Sequence, residues 1–214
     1  MSNIISIFLH LDTYLEAGVS NYGTLIYIII FTIIFFETGV VITPFLPGDS
    51  LLFAAGALSA STRSLNIWLL YLLIWVAAVL GDTANYYIGK YVGRRVFNGA
   101  HQYIFKKEYL DKTEAFYLEH GDKAIVLGRF FPVIRTFIPF VAGIGKMEYS
   151  NFAFYNIVGG AIWVAVFLFG GYFFGNIKFV QENFTLVIFG IILLSLVPGV
   201  YQLVKHHTQK DPTI

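Results

Sequence analysis

The sequence predicts an all-α integral membrane fold: about four transmembrane helices plus two re-entrant helical hairpins in an inverted repeat, flanked by amphipathic interfacial helices. Three observations predict it. The 214 residues are 57% hydrophobic and only 13% charged, with a mean hydropathy of +0.70, too apolar for an ordinary soluble domain. Four stretches, residues 24–41, 65–88, 151–175 and 184–204, are long and apolar enough to cross a hydrocarbon core of about 30 Å. Two further apolar stretches, 50–60 and 124–142, are cut short by proline and charge.

Each element follows from its residues. Within 1–22, Ile4, Phe8, Leu11 and Leu15 recur at helical spacing and predict an amphipathic surface helix. The first basic residue is Arg63, so no basic n-region marks a signal peptide and the N-terminal segment is expected to be retained. Residues 50–60 follow Pro44, Pro47, Gly48 and Asp49 and would reach only about 17 Å as a helix. Residues 124–142 hold Arg129, Pro132, Arg135 and Pro139, which split them into two arms. A helix broken at membrane depth is tolerated only inside protein or a polar cavity, so both stretches read as hairpins; six kinked spans are the competing path. One membrane domain, 1–214, results. It comprises the 1–22 segment, a hairpin-plus-span unit over 44–89, a loop over 90–123, a second such unit over 124–175, a last span over 183–204 and a tail over 205–214.

Basic residues give the orientation. Lys90, Arg94, Arg95, Lys106, Lys107, Lys112 and Lys123 fall in the central loop, and Lys205 and Lys210 in the tail. The positive-inside rule places both in the cytoplasm, and four spans then place the N-terminus there too. Within the loop, Tyr109, Thr113, Phe116 and Tyr117 share a helical face, and Glu108 stands four residues before Lys112. This predicts an interfacial helix serving as a solvated connector.

A weak internal repeat agrees. Phe45-Leu46-Pro47 opens the first hairpin and Phe130-Phe131-Pro132 lies in the second, each followed by Gly56 or Gly143 and then by a glycine-marked span. Inverted repeats with broken helices mark secondary transporters, with substrate held at the repeat interface.

Charges at membrane depth are the candidate site. An Asp or Arg at a helix centre costs about 2.5–3.5 kcal/mol on insertion scales, so each needs a partner or a wet cavity. Glu37 closes the first span and Asp49 opens the first hairpin, while Arg129 and Arg135 flank Pro132 in the second. Guanidinium binds phosphate or carboxylate through two parallel hydrogen bonds, which makes Arg129 and Arg135 candidate phosphate ligands. The start of the half-helix after Asp49 also favours an anion. Glu37 and Asp49 are candidates for proton coupling or charge balance: the four charges sum to zero, and a phosphate monoester adds about −1.5 to −2, which proton uptake would offset. Asp82 either lines the cavity or is an interfacial acid, and Asn156 is a cavity-lining candidate whose default role is hydrogen bonding between helices. Trp68, Trp75 and Trp163 read as packing or interfacial residues.

These residues carry a pattern that resembles the bacterial DedA family, within the wider group of SNARE-associated or VTT-domain proteins. The matching segments are Glu37-Thr38-Gly39, Pro44-Phe45-Leu46-Pro47-Gly48-Asp49-Ser50-Leu51-Leu52, Ala55-Gly56, Gly81-Asp82, Asn85-Tyr86 and His120-Gly121. They continue with Gly128-Arg129-Phe130-Phe131-Pro132-Val133-Ile134-Arg135-Thr136, then Pro139, Ala142-Gly143, Met147, Phe152, Asn156, Gly159 and Trp163. The resemblance implies a re-entrant inverted-repeat fold in the bacterial inner membrane. It implies transport of undecaprenyl phosphate, the carrier lipid of cell-wall synthesis, from the outer to the inner leaflet. It also implies proton dependence through Glu37 and Asp49 and a functional need for Arg129 and Arg135.

Other classes are less well served. A net charge of +1 gives no basic face for nucleic acid. With no cysteine there is no thiolate site, and the five histidines form no metal-binding spacing, so neither cofactor nor metal is expected. No HExxH or GxGD signature supports an enzyme. A proton- or ion-coupled transporter of small solutes, a channel, or a non-selective lipid scramblase would use the same four charges. The expected partners are a polyprenyl phosphate, membrane lipids and protons, with homo-oligomerisation left open.

Overall fold

A computed structural model describes residues 23–39, 48–62, 65–92 and 107–175, with isolated positions between 177 and 190. The expected 1–22 helix, the Pro44–Pro47 turn, the last span over 183–204 and the tail lie outside, or almost wholly outside, the described residues. Seven helices carry the rest: α1 Leu25–Gly39, α2 Gly48–Thr62, α3 Ile67–Val92, α4 Lys107–His120, α5 Ala124–Gly128, α6 Pro132–Ile144 and α7 Tyr149–Phe174. No strand occurs among the described residues.

Two of these, α3 and α7, are long and apolar enough to cross a membrane, over Ile67–Tyr91 and Tyr149–Phe174, and only 33% of the apolar window in each is buried. A core helix of a soluble protein would be mostly buried. Here Trp68, Leu72, Val76 and Leu80 on α3, and Phe154, Ile162, Val166 and Phe173 on α7, lie exposed instead, as lipid-facing side chains would. Asn66 caps α3: its Oδ1 accepts from the backbone N–H groups of Trp68 and Leu69. The two helices run antiparallel, as shown by Trp75 Nε1 donating to the Ile157 carbonyl (2.9 Å) and Tyr71 Oη to that of Ala161 (3.3 Å). Residues 165–169 of α7 form a π-helical turn.

Helix α1 covers residues 25–39 of the expected first span 24–41, of which residues 40 and 41 lie outside the described ones. It has 15 residues, about 22 Å of helix, and it runs parallel to α3. The Asn66 N–H donates to Tyr27 Oη at the start (2.7 Å), and Asn85 Nδ2 donates to the Thr38 carbonyl near the end. Then α2 starts beside Glu37, to which the Gly48 N–H donates, and ends where Ser59 Oγ donates to the Leu65 carbonyl. Thus α1 and α2 go out to Glu37 and come back to the start of α3. Near the end of α1, Glu37 and Thr38 are buried polar groups: the Glu37 carboxylate takes the Gly48 N–H and Arg135, and the Thr38 carbonyl takes Asn85 of α3.

The second half has the same plan from the other end of α3. Helix α5 leads in, the chain breaks at 129–131, and α6 returns to the end of α3, where α7 begins with Tyr149 packed at a tilt against Tyr86 and Tyr87. Two glycine pairs set the packing. A Cβ on Gly143 would strike the Tyr86 carbonyl and one on Gly89 the Phe140 carbonyl; a Cβ on Gly56 would strike the Leu168 carbonyl and one on Gly171 that of Phe53. Each short helix, α2 or α6, is therefore seated backbone to backbone on the long helix of the other half. Residues 48–59 of α2 are buried all round, as a helix apolar on every face requires.

Helix α4 is not the solvated connector expected. Its Thr113 and Phe116 are buried, and Phe116 packs with Ile134, Ile138 and Phe131 at the base of α6.

Candidate functional site

The first turns of α2 and α6 meet in the middle of the fold. Pro132 opens α6, and its fixed φ suits the first helical position. Arg135 follows one turn later and reaches across to α2. Its Nη1 donates to Asp49 Oδ1 at 2.6 Å, and its Nη2 donates to Glu37 Oε1. Glu37 Oε1 also accepts from the Gly48 N–H at 3.2 Å, and a Cβ at residue 48 would run into the Glu37 carboxylate. Glycine is thus the residue that lets α2 begin against this acid.

Trp163, from the middle of α7, completes the group. Its Nε1 donates to Asp49 Oδ1 at 2.9 Å, and its ring centroid lies 4.9 Å from the Arg135 guanidinium carbon, within cation–π range. This side chain, read from sequence as packing, is a member of the site. The available signal was its position: a tryptophan at mid-span is far from the interfacial belt.

Arg129 has its own partners. Its Nη2 donates to Asp82 Oδ2, to Asn156 Oδ1 and to the Asn156 carbonyl, the last at 3.3 Å. Asn156 Nδ2 in turn donates to the Val79 carbonyl at 3.0 Å. Gly159 leaves room for Arg129, since a Cβ there would stand 3.2 Å from Nε.

The sequence reading pooled Glu37, Asp49, Arg129 and Arg135 as one neutral set. The structure divides them. Glu37 and Asp49 share Arg135, whereas Arg129 pairs with Asp82, which is 4% exposed and so no interfacial acid. Two guanidiniums face three carboxylates, a formal charge of −1 when all are ionised. The pairs are neighbours all the same: Thr38, Asp82, Arg129, Arg135, Thr136 and Trp163 line one cavity of about 10 Å³, about the room one water needs. Asn85 binds the halves together, donating to the Thr136 carbonyl at 2.7 Å and to that of Thr38 at 3.3 Å. Glu37 Oε2, Ser50 Oγ, Asn85 Oδ1 and Arg129 Nε are buried and have no hydrogen-bond partner among the described residues. Such atoms in a closed site are where a ligand, a water or a proton gains the most.

Comparison with known proteins bears on this geometry. The VTT domain family model matches residues 46–173, a segment holding every charged site residue except Glu37. The chain is 50% identical over 204 residues to Protein DedA of Escherichia coli (strain K12), covering 95% of this chain and 93% of that protein. It is 40% identical over 190 residues to an uncharacterized membrane protein of Mycobacterium tuberculosis (strain ATCC 25618 / H37Rv), covering 86% and 83%. With the inner membrane protein YqjA of Escherichia coli (strain K12) it shares 33% over 154 residues, 71% and 69% of the two chains. No solved structure is a significant match.

Proposed function

We propose, from the premise that this chain belongs to the DedA family of VTT-domain membrane proteins, that it carries undecaprenyl phosphate from the outer to the inner leaflet of a bacterial cell membrane. The family and the membrane location support a transporter-type function; the lipid and the proton linkage are our reading. One observation carries it most: a largely enclosed Arg135 whose two Nη groups are each taken by a buried carboxylate, at the point where two short helices begin.

The chemistry runs as follows. A guanidinium fork matches a phosphate as well as it matches two carboxylates. While Glu37 and Asp49 are ionised they occupy it. Protonation of either one weakens its hold and frees a donor for phosphate, so proton uptake and phosphate entry are linked. Glu37 Oε2 has no partner among the described residues, so a proton adds there without breaking any hydrogen bond seen among them. The helix starts at Gly48 and Pro132 add the positive ends of two dipoles. The cavity, at about 10 Å³, is too small for a phosphate, so on this reading loading requires the two short-helix units to separate. On this reading they enter the membrane from opposite faces and α3 and α7 span it, with Lys90 at the cytoplasmic end.

The test is leaflet-to-leaflet movement of a polyprenyl phosphate in proteoliposomes, wild type against Arg135→Ala. Movement by the wild type that the variant loses supports the proposal. Equal movement of zwitterionic lipid without any gradient would make the protein a scramblase, and uptake of small anions in place of lipid would make it a solute transporter.

A further inference from the structure

We infer that the cytoplasm-facing end of α3 and α7, as oriented above, carries a second anion site, built for the phosphate of an anionic membrane lipid and separate from the central arginines. A cleft of about 420 Å³ lies there, lined by Tyr86, Lys90, Tyr91, Lys146, Glu148 and Tyr149 among others. Neither lysine has a carboxylate partner among the described residues, and both are exposed. Lys90 stands about 6 Å from the ring centroids of Tyr86 and Tyr87, which holds its ammonium at the cleft without neutralising it.

Lys146 is the more informative residue. Helix α6 ends in a pair of closing bonds, Lys146 N–H to the Gly143 carbonyl (3.2 Å) and Met147 N–H to that of Ala142 (3.0 Å), the pattern of a Schellman motif. Its left-handed position is where glycine is usual, yet it is occupied by Lys146 at φ 53°. A lysine at that strained position serves a purpose other than ending the helix. Met147 is fixed from the other side, its carbonyl accepting from Tyr86 Oη at 2.5 Å. The next residues begin α7, whose N-cap Glu148 makes no capping hydrogen bond, so the first-turn N–H groups of a long helix open beside the cleft. The Glu148 carboxylate also lines it and opposes an anion.

Position selects a lipid over a soluble anion. The 26 residues of α3 make about 39 Å of helix against a core of about 30 Å, so its last turn stands at headgroup depth. Ile88 and Tyr91, 41% and 79% exposed, flank the lysine, and Tyr87, Tyr91 and Tyr149 form the aromatic belt expected at that level. Basic pockets between helices on this side suit phospholipid headgroups. The inference does not depend on what the central site carries.

The test uses the full chain in neutral detergent micelles, titrated calorimetrically with dioctanoyl phosphatidic acid, dioctanoyl phosphatidylcholine or inorganic phosphate. Phosphatidic acid binds, and the other two bind at least tenfold more weakly. Lys90→Gln and Lys146→Gly each weaken binding about fivefold, the usual contribution of one basic residue near an anionic surface, and Glu148→Gln tightens it. Because glycine suits φ 53°, Lys146→Gly keeps the fold and carries the test alone if Lys90→Gln does not fold. Lys146→Gly binding phosphatidic acid as the wild type does, or inorganic phosphate binding as tightly as the lipid, overturns the inference.

Discussion

Arg135 Nη1 stands 2.6 Å from Asp49 Oδ1, and this contact joins the first turns of two helices that lie 86 residues apart in the chain. Since the same guanidinium also holds Glu37, one side chain neutralises two buried acids. Removing it leaves both uncompensated, which for a buried pair costs about 3–5 kcal/mol. Arg135→Ala is therefore expected to lower the unfolding midpoint in detergent as well as to abolish transport. Arg135→Gln combined with Asp49→Asn removes the charge imbalance between these two, recovers part of the stability and stays inactive. A double variant that transports at the wild-type rate would refute the role given to Arg135.

Asp82 supplies a separate prediction. Its partner Arg129 also holds Asn156, so the three act as a unit and their effects should not add. A double-mutant cycle of Asp82→Asn and Arg129→Gln, measured by unfolding in detergent, should give a coupling of roughly 1–3 kcal/mol. A coupling near zero would mean the pair is not formed in the membrane protein.

Much of this was legible from residues alone. Proline and charge inside an apolar stretch marked the break at 129–131, and the cost of burying charge made Glu37, Asp49, Arg129 and Arg135 stand out before any geometry. What pairs with what was not legible. Asp82 and Glu37 both follow long apolar runs, and only the packing of α3 against both α7 and the break after α5 brings Asp82 to Arg129 beside Asn156. Residues 24–41 are apolar enough to span, and composition alone does not reveal that α1 reaches Gly81 of α3 at Gly39 or that α2 ends back at the start of α3. Trp163 was hidden by its type, since a tryptophan serves packing, belts and hydrogen bonding alike.

The occupied fork predicts a sign for pH. If protonation of Glu37 or Asp49 admits the phosphate, an acidic outside compartment should speed inward movement of polyprenyl phosphate, and a reversed gradient should slow it. Glu37→Gln mimics the protonated acid, so its transport should lose most of its response to the gradient. Flux in proteoliposomes with opposed pH gradients reads this out, and a Glu37→Gln response equal to that of the wild type would remove Glu37 from the coupling.

The glycine pairs predict how position is transmitted to the site. A Cβ at residue 143 meets backbone, the Tyr86 carbonyl and, at 2.8 Å, the Lys90 nitrogen, whereas a Cβ at residue 170 meets nothing within 4 Å. Backbone in a long helix cannot step aside as a side-chain tip can, so Gly143→Ala must push α6 off α3, at roughly 1–3 kcal/mol for overpacking. Gly170→Ala should be neutral or gain up to about 1 kcal/mol from helix propensity. Because α6 carries Arg135 eight residues earlier on the same helix, the displaced helix also misaligns the fork from Asp49. Gly143→Ala is thus expected to lose transport out of proportion to its stability loss, with Gly170→Ala as the matched control. Equal transport by the two variants would show that the seating of α6 on α3 does not set the geometry of the site.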